Sequence, residues 1–336
     1  MFQNTFCRRK DNRSMQKIGF LYPGQGSQRA GMAQKLAQRD PALFERYLGL
    51  SDQLAGEPVS QLCLEGSLQT LSQTHIAQPA LFAYSLALTE RAGQLGLVPA
   101  FVAGHSLGEY TAAVAAGALS FAEGLALVCQ RGKLMKQQQD EQPGAMAAVL
   151  GLSRTALDQL CDEISQQDLV VVTNWNAPEQ LVVSGTESGV QRLGALVRAQ
   201  GSGKVVQLPV KGAFHSPLMK PVQVALGQTM SKLHWRDASI PLVANVSGLE
   251  LRRGSDIQQE LLEQITSPVQ WVRCVERLAA SGCTTLIELG PGQVLTRLVR
   301  LIAPQITAVA LDTLEALETF AATRHTFVEQ EALQVA

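Results

Sequence analysis

Short apolar runs that stop at glycine or proline alternate along the chain with longer stretches rich in alanine and leucine. Ile18-Gly19-Phe20-Leu21-Tyr22 has the character of a buried strand and is ended by Pro23-Gly24. The polar loop Gly24-Gln25-Gly26-Ser27-Gln28 follows, and a helical pattern begins near Met32. Residues 78–95 have the composition of a buried helix. Ala100-Phe101-Val102-Ala103-Gly104 is a second short apolar strand, which runs directly into His105-Ser106-Leu107-Gly108-Glu109 and then into an alanine-rich helix from Tyr110. Strand, tight turn and helix in that order make an α/β unit.

The segment 140–208 has a different grain. Ala145-Met146-Ala147-Ala148-Val149-Leu150 predicts a strand, and Ser153 is placed to cap a helix over 154–166. Two strands, 169–173 and 180–184, are expected to be joined through Asn174-Trp175-Asn176-Ala177-Pro178. A helix over 187–199 and a strand over 204–208 complete the series. The order β-α-β-β-α-β is the split unit of ferredoxin-like folds. Strands near 242–246 and 284–289 then resume the α/β pattern. The fold class expected is α/β, with a large α/β-hydrolase-like subdomain (17–139 and 209–315) and an inserted small ferredoxin-like subdomain (140–208). Residues 1–16 read as a leader and 316–336 as a polar C-terminal tail.

Composition narrows the function classes. Of 336 residues, 46% are hydrophobic and 17% charged, enough apolar material for a substantial core and too few charges for a disordered chain. Twenty-eight Lys and Arg against 29 Asp and Glu give no electrostatic reason to expect nucleic acid or an anionic membrane as partner. The cysteines at 7, 63, 129, 161, 274 and 283 form no CxxC pair and no Cys/His ligand spacing, so neither a disulfide scaffold nor a metal site is expected. The basic stretch at 7–13 is followed by no apolar segment before Met15, which reads as the start of the folded chain. The apolar stretch 111–129 carries Glu123 and reads as buried helix rather than a bilayer span. The expected location is the cytoplasm.

Gly104-His105-Ser106-Leu107-Gly108 is the strongest local chemical signal. Gly-x-Ser-x-Gly between strand and helix is the arrangement of a nucleophile elbow, in which the helix N-terminus aims amide N–H groups at a developing oxyanion. The same pentapeptide also suits an ordinary turn; its place after an apolar strand favours the elbow. A serine nucleophile needs a base, and the chain has five histidines. His105 lies inside the elbow and reads as structural, His75 and His234 read as surface residues, and His325 lies in the tail. His215 sits where the small subdomain would rejoin the large one, a position suited to a cleft. Position alone leaves its role open. Arg131 falls in a predicted helix, where an arginine is most often solvated.

Six segments together carry a resemblance: Pro23-Gly24-Gln25-Gly26-Ser27-Gln28, Gly104-His105-Ser106-Leu107-Gly108-Glu109, Gln130-Arg131-Gly132-Lys133-Leu134-Met135, Ala213-Phe214-His215-Ser216-Pro217-Leu218-Met219, Ser267-Pro268-Val269-Gln270-Trp271 and Glu288-Leu289-Gly290-Pro291-Gly292. In this order they resemble the motifs of malonyl-CoA:acyl carrier protein transacylases and of polyketide synthase acyltransferase domains, over residues 17–312. The resemblance implies Ser106 as the acylated nucleophile and His215 as its base, oriented by the backbone carbonyl of Gln264 in place of a carboxylate. It implies an oxyanion hole from the backbone N–H groups of Gln25 and Leu107. It also implies that Arg131 binds the free carboxylate of malonate, as a guanidinium fork does and lysine cannot. Phe214 before His215 resembles the malonyl-selective pattern, and an aromatic ring there would narrow the pocket against an α-methyl branch.

The activity implied is transfer of malonyl from malonyl-CoA to the phosphopantetheine thiol of a holo acyl carrier protein, for fatty-acid or polyketide synthesis, with no cofactor. Carrier proteins are acidic, which makes Lys133, Lys136, Lys204 and Lys211 candidates for docking. Two other readings share the scaffold. A thioesterase would use Ser106 and His215 but would have no need of Arg131, and a non-catalytic docking subunit would need none of the three. Glu109, Gln270-Trp271 and Gly290-Pro291-Gly292 read as packing and turn structure, and Asn174 and Asn176 as cleft-lining or turn residues.

Overall fold

The computed structural model describes residues 17–201 and 203–333. Expectations placed on residues 1–16, and on the His325 side chain, lie outside that description.

Among the described residues ten strands form two sheets. They are β1 (Lys17–Tyr22), β2 (Phe101–Gly104), β3 (Ala145–Leu150), β4 (Val170–Ala177), β5 (Gln180–Gly185), β6 (Lys204–Gln207), β7 (Leu242–Val243), β8 (Glu250–Leu251), β9 (Cys283–Leu289) and β10 (Thr307–Leu311). The larger sheet has the order β10-β9-β1-β2-β7-β8 and is parallel except for β8. The smaller, β4-β5-β3-β6, is antiparallel throughout.

Alternation along β1 shows why its run is apolar on both faces. Ile18, Phe20 and Tyr22 enter one core, with Leu81, Tyr84 and Leu88 of the helix Thr74–Gln94. Leu21 points the other way, into a core of Trp271, Val275 and Leu298. Helices therefore cover both faces of the parallel sheet, and the strand ends at Tyr22 and Gly104, in register with each other, open on one edge.

In the smaller sheet Ala145, Ala147 and Val149 pack under Leu157, Leu160, Leu193 and Val197 of the helices Arg154–Ser165 and Glu187–Gln200. The opposite face contributes Met146 and Val182 to the core of the larger sheet. The Ser153 hydroxyl accepts from the Ala156 N–H, the expected cap.

Several boundaries differ from the sequence reading. The helix after the elbow starts at Leu107, not Tyr110, because Ser106 is its N-terminal flank. Asn174-Trp175-Asn176 is strand rather than loop: β4 continues to Ala177 through two irregularities in its register with β5. It continues because residues outside the sheet satisfy its backbone, with Trp175 N–H donating to Val269 O (2.9 Å) and Val269 N–H to Thr173 O (2.9 Å). The strand near 242–246 shortens to β7, and β10 carries no signal that the sequence reading used. The described part of the segment expected as a polar tail, 316–333, is helical. A helix, Leu314–Leu333, seats Leu317 and Ala321 in the core, and Glu318 pairs with Arg39 (2.8 Å) and Arg91 (2.7 Å).

Candidate active site

The elbow is built by close backbone approach. A Cβ on Gly104 would lie 1.9 Å from the Gly108 carbonyl oxygen, and one on Gly108 would lie 1.9 Å from that of Tyr22. No side chain fits at either position. Between them Ser106 takes φ 52° and ψ −108°, a conformation costly for any residue with a Cβ. Gly24 presses on the same turn, since a Cβ there would meet His105 O at 2.5 Å. That contact brings the loop carrying Gln25 against the elbow. Among the described residues neither the Gln25 nor the Leu107 backbone N–H donates to a protein acceptor.

His215 is the other non-glycine residue with positive φ (60°) among the described residues. Its Nε2 stands 2.7 Å from Ser106 Oγ and its Nδ1 2.8 Å from the backbone oxygen of Gln264. A carbonyl can only accept, so Nδ1 carries the proton and Nε2 presents its lone pair to the serine hydroxyl. Burial, with the Arg131 charge second, pushes the His215 pKa down to about 3. The imidazole is thus held neutral, the form that accepts a proton.

Arg131 is not a surface residue: it is 2% exposed, on the inward face of the helix Phe121–Glu141. Its Nη1 donates to Gln78 Oε1 (2.5 Å), and its Nη2 lies 3.3 Å from both Ser106 Oγ and Gln264 Oε1. The guanidinium covers the Tyr110 ring at 5.0 Å, and Nε has no partner. Among the described residues no carboxylate forms an ion pair with it. Gly132 lets the two helices approach, since a Cβ there would sit 2.9 Å from His75 Cα, and this closeness lets Gln78 reach Arg131. A buried, unpaired guanidinium beside a serine hydroxyl is suited to an anionic substrate.

The structure brings Ser106, His215, Arg131 and Gln264 together, with Leu107 next to Ser106 in the chain and the Gln25 loop against the elbow. Phe214 is buried, against Gly212. His105 is half-buried, bonded through Nε2 to Asn176 Oδ1 (2.8 Å) and edge-on to Trp271. His75 is half-buried and His234 exposed. Of the lysines, 133, 204 and 211 are exposed, while Lys136 pairs with Asp140 (2.5 Å).

Sequence reasoning missed Gln78, Asn245 and the side chain of Gln264. Asn245 Oδ1 accepts from Ser106 N–H (2.8 Å) and its Nδ2 donates to Gly104 O (2.7 Å). One signal was available: Asn245 lies just past the end of a parallel strand, where α/β folds place their sites. Among the described residues no group of His, Cys, Asp and Glu is arranged to hold a metal ion, and no helix is long and apolar enough to cross a membrane.

Residues 19–314 match the acyl transferase domain family. The malonyl CoA-acyl carrier protein transacylase of Bacillus subtilis (strain 168) is 40% identical over 305 residues, covering 90% of this chain and 96% of that protein. The crystal structure of an acyl carrier protein S-malonyltransferase from Vibrio cholerae superposes with TM-score 0.86 at 37% identity, over 90% of this chain and 99% of that one. A malonyl-transacylase solved in complex with its type II PKS acyl-carrier protein gives TM-score 0.87 at 33% identity, over 91% and 99%. Fold, chain coverage and identity agree: the chain belongs to the acyl transferase domain family, among the malonyl CoA-acyl carrier protein transacylases.

Proposed function

We propose that this chain transfers a malonyl group from malonyl-CoA to the phosphopantetheine thiol of a holo acyl carrier protein, through a malonyl ester on Ser106. The observation that carries this reading is the unpaired guanidinium of Arg131, 3.3 Å from a serine hydroxyl that is itself 2.7 Å from a neutral histidine. His215 Nε2 takes the Ser106 proton as Oγ attacks the thioester carbon. The imidazolium then formed is stabilised by its Nδ1–H bond to Gln264 O. The amides of Gln25 and Leu107 receive the oxyanion. The C–S bond to CoA breaks and the CoA sulfur takes the proton back from His215. The carrier thiol next gives its proton to His215 and attacks the ester carbon; the C–O bond to Ser106 breaks, and Oγ takes that proton back from His215.

Arg131 holds the malonate carboxylate in both half-reactions, and Phe214 limits room at the α-carbon. In this reading residues 17–139 and 209–315 form the acyltransferase body, and 140–208 the small subdomain, whose Asn176 supports the elbow through His105. The enzyme works in the cytoplasm, in fatty-acid or polyketide synthesis, and exposed lysines 133, 204 and 211 meet the acidic carrier.

Intact-protein mass spectrometry after mixing with malonyl-CoA, then with holo or apo carrier protein, tests the whole cycle. The expected result is a malonyl adduct that moves to the holo carrier alone. An adduct released only as free malonate would make the protein a hydrolase, and no adduct from malonyl-, acetyl- or methylmalonyl-CoA would leave a docking role.

The pH profile provides a second check. With the His215 pKa held near 3, the base form persists far below an ordinary imidazole pKa, so kcat/KM for malonyl-CoA should stay flat from pH 8 to about pH 5. An inflection near pH 6.5 would exclude a buried neutral base. The same shift affects folding. The unfolded chain binds the His215 proton first, so this group's contribution to stability is complete above about pH 6.5 and is lost as pH falls toward 3.

A further inference from the structure

Ser106 and His215 both hold conformations that neither would adopt unaided, and such strain persists only where the surroundings over-determine it. For Ser106 the restraint reaches both of its peptide groups. Its N–H donates to Asn245 Oδ1 (2.8 Å), and its carbonyl accepts from Gln264 Nε2 (2.9 Å). Each of these clamps is in turn held by one side chain. Asn245 N–H donates to Glu109 Oε1 (2.8 Å), and Gln264 Nε2 contacts Glu109 Oε2. Glu109 lies in the first turn of the elbow helix and is fully buried.

A closed circuit results. The elbow leads into its helix, the helix presents Glu109, and Glu109 fixes the two residues that fix the elbow. Gln264 extends the circuit to the base, because its backbone oxygen orients His215 Nδ1, and its Oε1 faces Arg131 Nη2.

The circuit has a cost that packing alone does not repay. Glu260 is also buried nearby, where its Oε1 accepts from Val246 N–H (2.6 Å). Burial drives both pKa values up, helped at Glu109 by the Glu260 carboxyl and at Glu260, which reaches about 7, by that of Glu263. An apolar residue of similar volume would fill the same space without desolvating a carboxyl group. What it could not do is accept two N–H groups from two separate segments.

From this geometry we infer that Glu109 is a positioning residue for acyl transfer, setting the Ser106–His215 alignment through Asn245 and Gln264. The inference rests on the proposed reading of Ser106 and His215 as nucleophile and base. Glu109 touches neither the substrate nor the reacting atoms. It holds Ser106 Oγ and His215 Nε2 in line by fixing the Asn245 backbone N–H and the Gln264 side chain.

Glu109→Gln is the discriminating variant. It keeps length and volume but offers one oxygen where two donors arrive, so whichever way the amide turns, one donor meets another. In rapid-quench measurement of Ser106 malonylation, its maximal rate should fall on the order of 10- to 100-fold, the effect of leaving a buried donor unpaired. The malonyl-CoA concentration giving half-maximal rate should move less than about threefold, because Arg131 keeps its bond to Gln78, which lies outside the circuit.

Asn245→Ala removes the other half of the clamp. The double variant should be no slower than about the worse single variant, as expected of two residues in one network. Labelling to completion with a fluorophosphonate counts folded sites. Full stoichiometry at a reduced rate is the expected signature, and Asn245→Ala carries the test should Glu109→Gln not fold.

A Glu109→Gln or Asn245→Ala rate within twofold of wild type, multiplicative losses in the double variant, or a loss confined to half-saturation would overturn the inference. If wild type forms the Ser106 adduct in these experiments, only the inference falls. If wild type forms none, the proposed function falls with it.

Discussion

Ser106→Ala forms no malonyl adduct with malonyl-CoA, and acyl transfer to the carrier protein falls on the order of 10⁴-fold or more. The variant should keep its fold. Alanine at position 106 carries the same Cβ in the same positive-φ conformation as serine, and the backbone bonds to Asn245 and Gln264 remain available. Only Oγ is lost, with its contacts to His215 and Arg131. Among the described residues the buried cysteine thiols are poorly suited to replace it. The Cys129 thiol, on the helix of Arg131, is buried and its pKa is pushed up to about 11, and the Cys63 thiol is raised further by burial. Intact mass measurement with malonyl-CoA checks the prediction, and a persistent malonyl adduct on the variant would place the acylation elsewhere.

Arg131→Ala shows the other large effect, on selectivity rather than on capacity to react. Malonyl transfer should fall by about 10²- to 10³-fold, because the substrate carboxylate would enter a buried site with no cation to meet it. Acetyl transfer should fall little or rise, since a neutral acyl group leaves the wild-type guanidinium unpaired and gains when that charge is removed. The ratio of kcat/KM for malonyl-CoA to that for acetyl-CoA is therefore the quantity to measure. Equal losses for both substrates would mean that Arg131 acts on the elbow and not on the carboxylate. Arg131→Lys should recover only part of the ratio. An ammonium keeps the charge but cannot donate to Gln78 while also offering a planar pair of N–H groups. Removing the charge also relieves one of the causes that lower the His215 pKa, so the acidic limb of the pH profile should move upward in Arg131→Ala.

The contrast between Arg131 and Asn245 shows where reading a sequence stops. Residue spacing by itself left Arg131 on a helix surface, and only its resemblance to a family motif gave it a role; the fold then buries it against Tyr110 and Gln78. Asn245 belongs to no quoted motif, yet it grips both sides of the elbow. The elbow was legible from Gly104, Ser106 and Gly108 because local sterics demand small residues wherever backbone meets backbone, and those sterics are written in consecutive positions. The strands β1, β2, β3, β5 and β9 were legible for a similar reason: burial on one or both faces leaves a short apolar run that turn residues bound.

β10 and the helix Leu314–Leu333 were not legible. The register of β10 is set by pairing with β9, and the apolar positions of the helix are paired with residues far away in the chain, so nothing near them distinguishes strand from loop or helix from tail. β4 passes through Asn174-Trp175-Asn176 for the same reason, because Val269 supplies the partners that its own neighbours do not.

The sequence by itself determined the strand–elbow–helix unit and the β-α-β-β-α-β order of 145–207, since each depends on residue type and local spacing, whereas the roles proposed for His215 and Arg131 came from the resemblance of their motifs to a family. Tertiary structure alone decided the tautomer of His215, the burial that keeps it neutral, the missing ion pair of Arg131 and the circuit through Glu109, Asn245 and Gln264. Each of those depends on which distant atoms come within about 3 Å, a length at which hydrogen bonding and desolvation act and on which the order of residues is silent.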